Sequence, residues 1–188
     1  MIKKNIISIT IALFSIFIIS CSGNSKFTIE KGKVGKITTK TKMMELATIF
    51  KNDSIVKNLS EGAQGDNYFQ EDDEYFVYEK GGKLLLTILP KEQLDSTSTI
   101  KSIQVFDDRF KTKSGINLQS TFEDLNLNNT ITKVETSLSS ATLFIDDLNV
   151  TITLDKEDLG LNSFSTQKIS LEQIPGLAKV KSFVVWFN

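Results

Sequence analysis

The chain opens with an almost unbroken apolar run, Ile6 to Ile19, behind the short basic segment Met1-Ile2-Lys3-Lys4-Asn5. At 14 residues the run falls short of the roughly 20 that a spanning helix needs, and its length and basic lead predict a signal peptide over residues 1–20. No later segment has the length and apolarity to span a membrane. From Phe27 onward the pattern breaks into short alternating stretches, so the folded domain is expected to begin there, after a polar tether at 21–26.

Those stretches occur twice in the same order. Ser120 followed by Glu123 forms an S-x-x-E capping box and predicts a helix that starts there and carries Phe122 and Leu125 on its apolar face. The segment Lys36 to Leu46 aligns with Gly115 to Leu125 without a gap, setting Ile37 on Ile116, Thr41 on Ser120, Met43 on Phe122 and Leu46 on Leu125. After Thr41, the positions Met43, Leu46, Ala47 and Phe50 keep helical spacing. A hairpin then follows in each half: Tyr75 to Tyr78 and Lys83 to Leu89 around Gly81-Gly82, and Ala141 to Ile145 and Val150 to Leu154 around Asp146 to Asn149. A third strand closes each half, Ile100 to Phe106 matching Val180 to Trp186 type for type. The offset between halves is 79 at the helix, 66 at the hairpin and 80 at the last strand, which leaves Asn52 to Asp73 and Glu157 to Gly176 as insertions, expected to be surface loops. The expected fold is α+β: a single domain over 27–188 made of two tandem α-β-β-β repeats, about 27–110 and 111–188, with an antiparallel sheet and helices packed on one face.

Composition removes most catalytic chemistry. Histidine is absent and cysteine occurs once, so no Ser-His-Asp triad, Cys-His dyad, His-ligated metal centre or CxxC redox pair can be built. The formal net charge of −1 gives no field that would draw the chain to nucleic acid. Gly81-Gly82 lacks the flanking residues of a phosphate loop, and the lone arginine, Arg109, argues against an anion clamp. Asp107-Asp108 and Asp146-Asp147 read as turn residues rather than paired catalytic acids. Asp155 to Gly160 has carboxylates at positions 1 and 3 and glycine at position 6 of a calcium loop, but position 5 is Leu159 and position 12 is Thr166, so the bidentate acid that completes such a loop is absent. The acidic run Gln70 to Glu74 reads as solvated loop. The expectation is no catalytic residue, no metal and no cofactor.

The sequence Ile18-Ile19-Ser20-Cys21 resembles the lipobox of bacterial lipoproteins. That resemblance implies a diacylglyceryl group on the Cys21 sulfur, cleavage after Ser20 and acylation of the new amine by a chain such as palmitate. Removing residues 1–20 takes away Lys3 and Lys4 and no acid, moving the net charge from −1 to −3. Several acyl chains hold a protein stably on a bilayer, where one gives reversible binding. Ser22, where an inner-membrane lipoprotein would carry aspartate, implies the outer membrane by resemblance to Gram-negative sorting rules.

A second resemblance rests on V-G-K-I-T at Val34 to Thr38, T-I-K-S-I-Q-V-F-D at Thr99 to Asp107, G-I-N-L-Q-S-T-F-E-D-L at Gly115 to Leu125 and A-K-V-K-S-F-V-V-W at Ala178 to Trp186. In order and spacing these are similar to a family of Gram-negative outer-membrane lipoproteins of unknown function, one member of which is controlled by the envelope-stress sigma factor. The family implies no catalytic residues, and only Cys21 carries over, as the lipid site. The repeat pattern is also similar to that of the small lipoprotein of the outer-membrane assembly machinery and of the β-lactamase inhibitory protein, an analogy of fold.

Alternation along the closing strand puts Phe183, Val185 and Phe187 on one face and Val180, Ser182, Val184 and Trp186 on the other, whereas the sister strand carries Ser102 and Gln104 on the matching face. Burial beneath the insertion Glu157 to Gly176 would account for that second apolar face, as would docking of a partner on Val184 and Trp186. The chain is therefore read as a lipid-anchored, non-enzymatic envelope module with a protein partner. The rival reading is a carrier of a small apolar or lipid ligand, which would show an apolar cavity between the sheet and its cover.

Overall fold

Across the middle of the molecule one row of side chains, Ile55, Val77, Leu86, Val105, Phe183, Ile152, Leu143 and Val134, runs over eight hydrogen-bonded strands without a polar residue. A computed structural model describes residues 25–60, 72–161 and 167–188. The chain first forms three short strands, β1 (Thr28–Glu30), β2 (Lys33–Val34) and β3 (Ile37–Thr38), then a 3-10 turn at Met43–Glu45 that continues into helix α1 (Leu46–Ile49). Four strands follow as an antiparallel meander: β4 (Ser54–Asn58), β5 (Glu74–Tyr78), β6 (Leu84–Pro90) and β7 (Ile100–Val105). Strand β8 (Lys111–Thr112) and helix α2 (Phe122–Asn128) lead into the second meander, β9 (Lys133–Thr136), β10 (Ser140–Ile145), β11 (Val150–Asp155) and β12 (Val180–Trp186).

The two meanders join through β7 and β12 into an eight-stranded sheet of order β4-β5-β6-β7-β12-β11-β10-β9. A smaller sheet, β3-β2-β1-β8, pairs β1 with β8 in parallel and so ties the start of the domain to the beginning of its second half. Alternation explains the long strands: β10 and β11 bury every second residue, with Thr142, Thr151 and Thr153 on the opposite face. Ile29, Val34, Ile37, Leu46, Phe110, Ile116, Phe122 and Leu125 belong to the same buried cluster as the inner row of the large sheet. At about 25 cal/mol per Å² of apolar surface, this burial is the main force holding sheet and cover together.

The architecture corrects the α+β expectation. The protein is mainly β, and its described helices have four and seven residues, too short to form a layer on the sheet. The local chemistry explains their length. α1 carries β-branched Thr48 and Ile49 and stops at Phe50, while α2 runs into Asn126, Asn128 and Asn129, poor helix formers, the last two of which bond helix carbonyls through their side-chain amides. Each half has four strands after its helical turn, not three. The extra strand β4 lies within Asn52 to Asp73, and its counterpart β9 precedes the second hairpin; both occupy sheet edges, where Lys57, Lys133 and Glu135 discourage pairing with other chains.

The N-cap of α2 is Thr121, not Ser120. Thr121 Oγ1 accepts from the Asp124 amide at 3.4 Å, and the Thr121 amide donates to Asp124 Oδ2 at 2.8 Å. Ser120 is buried, and its hydroxyl instead accepts from the Asn117 amide at 3.1 Å. The insertion Glu157 to Gly176 contributes Leu159, Ile169 and Ile174 to the core, so its described residues are more than a surface loop.

Candidate functional site

The outer face of the large sheet carries the residues singled out from the closing strand. Phe183, Val185 and Phe187 are fully buried on the inner side, while Val184 and Trp186 face outward and are half-buried. Val180 departs from the alternation: the register shifts around Lys181, and Val180 becomes a core residue opposite Leu154. Val184 stands beside Gln104 and Trp186 beside Ser102. The Trp186 indole donates to Thr151 Oγ1 at 3.1 Å, and Asn149 Nδ2 donates to the Trp186 carbonyl at 3.0 Å.

Reading outward from that seam gives a second row across the sheet: Val56, Phe76, Thr87, Gln104, Val184, Thr151 and Phe144, one residue from each of seven strands. None is charged. Lys133 ends the row on the last strand. The Thr87 hydroxyl, buried in the middle of it, has no hydrogen-bond partner. The described residues of the insertion Glu157 to Gly176 make their contacts elsewhere: the Ile169 amide donates to Thr136 Oγ1, and the Glu123 amide donates to the Gly176 carbonyl at 2.9 Å, both on the covered side of the sheet.

A second feature lies where the N-terminal segment meets the first meander. Asp107 is fully buried and accepts from Arg109 Nε at 2.9 Å, Arg109 Nη2 at 2.7 Å, the Arg109 amide at 2.9 Å and Lys83 Nζ at 2.8 Å. The Arg109 side chain, more than burial or Lys83, sets the balance and holds the Asp107 carboxyl well below the usual carboxylate range. Arg109 also grips Glu79 with both terminal nitrogens, at 3.1 and 2.8 Å, which lowers the Glu79 pKa. Its guanidinium lies over the Phe27 ring at 4.4 Å, and Phe27 meets Phe110 edge to face at 5.0 Å. Lys26 continues the chain of charges to Asp53 at 3.1 Å.

Beside this cluster a cavity of about 300 Å³ opens between the N-terminal segment, α1 and β6. Its apolar floor is Val34, Ile49, Phe50, Leu86 and Phe110. Lys26, Lys36 and Lys51 line it together with Asp53. Asp107 and Arg109 are two residues apart, but the cluster as a whole was not legible in the sequence, because the Lys26–Asp53 and Arg109–Glu79 links span 27 and 30 residues.

Other candidates resolve as structural contacts. Asp73, in the acidic run, is buried rather than solvated. Its burial raises the pKa, but hydrogen bonds from the Leu94 amide and from the amide and hydroxyl of Ser60 outweigh it and leave the pKa lowered. Asp155 pairs with Lys181. Among the described residues no three carboxylates or thiols converge to hold a metal ion, and no helix is long and apolar enough to cross a membrane. Cys21 and residues 1–20, the expected signal peptide, lie outside the described residues.

No protein-family model and no curated protein matches this chain. Among solved structures, the chain is similar to the uncharacterized protein yfeY from Escherichia coli, with a TM-score of 0.51 and 14% identity over 86% of this chain and 99% of that one. At that identity the likeness shows the fold alone.

Proposed function

We propose that the protein is a lipid-anchored, non-enzymatic lipoprotein of the bacterial outer membrane that binds an envelope protein through the outer face of its large sheet. The observation that supports docking is the uncharged row from Val56 to Phe144. A solvated sheet face ordinarily mixes charges among its outward positions, and an interface core is depleted in charge and enriched in aromatic residues. Phe76, Trp186 and Phe144 supply rigid aromatic area on that face, and Val56 leaves 53% of its surface exposed. The anchor rests on the lipobox at Cys21, which puts a water-soluble domain on a bilayer through a tether of a few residues.

Two measurements test the reading. A photo-crosslinking residue at position 184 or 104 should capture a defined envelope protein in living cells, and one at Lys113, away from the sheet's outer face, should not. Cys21→Ala should abolish acyl labelling and leave uncleaved precursor. Equal capture from all three positions would remove the docking surface, and normal processing of Cys21→Ala would remove the anchor.

A further inference from the structure

We infer that the cavity beside Lys26 binds a small anionic amphiphile, with its apolar end against Ile49 and Phe50 and its anionic head at Lys36 and Lys51. The site is separate from the outer sheet face, since Leu86 lines it from the opposite side of β6, the side that shares the row with Val105 and Phe183.

Charge and shape carry the argument together. Three lysines and one aspartate line the cavity in a chain whose net charge is −1. Asp53 and Lys26 satisfy each other at 3.1 Å, and the Asp53 side chain is only 6% exposed. Lys36 and Lys51 form no ion pair or hydrogen bond among the described residues, so two cations remain at the mouth above an apolar floor. A neutral apolar ligand would leave those cations unused, and a small inorganic anion would leave the half-buried Ile49 and the open edge of Phe50 uncovered. One molecule with a short apolar tail and one anionic head answers both, and about 300 Å³ lies at the lower end of the range of ligand pockets.

The walls are held in place without a ligand. The Gly35 amide donates to the Thr28 carbonyl at 2.8 Å, and the backbone of Gly35 comes so near Lys26 that a Cβ there would lie 2.4 Å from the Lys26 carbonyl oxygen. Asp53 holds Lys26, and the Phe27–Phe110 ring pair fixes the far wall. A preformed cavity of this type binds without the cost of ordering its walls.

The test uses the intact protein carried in phosphatidylcholine nanodiscs, with Ile, Leu and Val methyls labelled for NMR. Octanoate and octyl phosphate should give saturable shifts at Val34, Ile49 and Leu86 and none at Val184. Octanol should bind at least about tenfold more weakly, and inorganic phosphate should move nothing. Comparing octanoate with octyl phosphate separates a carboxylate from a phosphate headgroup as the natural source. The double reversal Lys36→Glu with Lys51→Glu, at two exposed positions, should lower the affinity for both anions by about tenfold or more. Ile49→Trp, which fills the cavity, should abolish the shifts at Val34 and Leu86. No saturable shift with either anion, octanol binding as tightly as octanoate, or unchanged affinity in the double reversal would each overturn the proposal.

Discussion

Val184 of the last strand stands directly opposite Gln104 of β7, and the pair marks a two-fold relation between the halves of the molecule. Phe183 faces Val105 and Val185 faces Ile103, so each neighbour of the pair meets the counterpart of the other across the antiparallel ladder. The same relation holds far from the seam. The Met43 amide bonds the Ser98 carbonyl at 2.9 Å and the Phe122 amide bonds the Ala178 carbonyl at 2.8 Å, while Lys42 bridges Thr99 and Thr121 bridges Lys179. Gln104 and Val184 thus occupy equivalent environments with different chemistry, which makes the outer face more apolar on one side of the seam.

Trp186 and Phe183 should respond differently to truncation. Phe183→Ala removes a fully buried ring and should cost about 3–5 kcal/mol. Trp186→Ala removes a half-buried ring and one hydrogen bond to Thr151, and should cost about 1–2 kcal/mol. Urea denaturation of both variants measures the difference. A loss at Trp186 as large as that at Phe183 would make it a core residue and withdraw it from the docking surface.

The strands of the hairpins and the closing strands were legible because alternation with β-branched and aromatic residues is a local signal, as in V-T-I-T-L-D of β11. Pairing was less so. The register equates Leu86 with Val150 and Ile88 with Ile152, 64 residues apart, where alignment of the hairpins suggested 66; a slip of two leaves every side chain on its proper face, so the pattern could not reveal it. Edge strands β4 and β9 escaped notice because charged, exposed residues blur their alternation. The helices were overcalled because Met43, Leu46 and Phe50 do fall on one helical face, yet a single turn and a half suffices to bury them. Of the candidate site, Val184 and Trp186 could be read from strand periodicity. The cavity and the link from Arg109 to Glu79 could not, being assembled by tertiary contacts.

Capping separates the two readings of α2. The sequence pattern makes Glu123 the acid of the capping box, while the structure gives that role to Asp124, whose carboxylate accepts from the amide and hydroxyl of Thr121 at 2.8 and 3.0 Å. Thr121→Ala and Asp124→Ala should each cost about 1 kcal/mol, and Glu123→Ala, at an exposed position, no more than about 0.5 kcal/mol. Thermal melts of the three variants rank them; a larger loss at Glu123 would restore the cap to Ser120.

Gly35→Ala should be costlier than Gly160→Ala although both residues have positive φ, at +58° and +71°. The left-handed backbone alone costs about 1 kcal/mol for alanine, and a Cβ on Gly160 meets nothing within 4 Å. At Gly35 the added carbon collides with the Lys26 carbonyl, so the N-terminal segment must shift, and the total should reach about 2–3 kcal/mol. Denaturant midpoints of the two variants, at equal slope, give the comparison. Equal losses would mean that the segment carrying Lys26 yields freely.

Acid should expose the contribution of Asp107. Its carboxylate is held below its ordinary range first by the Arg109 side chain, and in the unfolded chain it returns to about 3.9. Between those two values the unfolded state binds more protons than the folded one, so stability rises with pH across the window and is complete above it. Glu79, lowered chiefly by the same guanidinium, acts in the same direction at slightly higher pH. The melting temperature should therefore gain nothing from these groups between about pH 6 and 8 and should fall as the pH drops below about 4. Asp107→Asn removes the charge that four donors from Arg109 and Lys83 converge on, and should cost about 1–3 kcal/mol at pH 7, limited by the exposure of both cations, which can rehydrate. Because the variant has no proton to take up at this position, the gap between it and the wild type should narrow steadily as the pH is lowered from 5 to 2. A gap that stays constant over that range would show that the carboxylate contributes through packing and hydrogen bonding alone, without its charge.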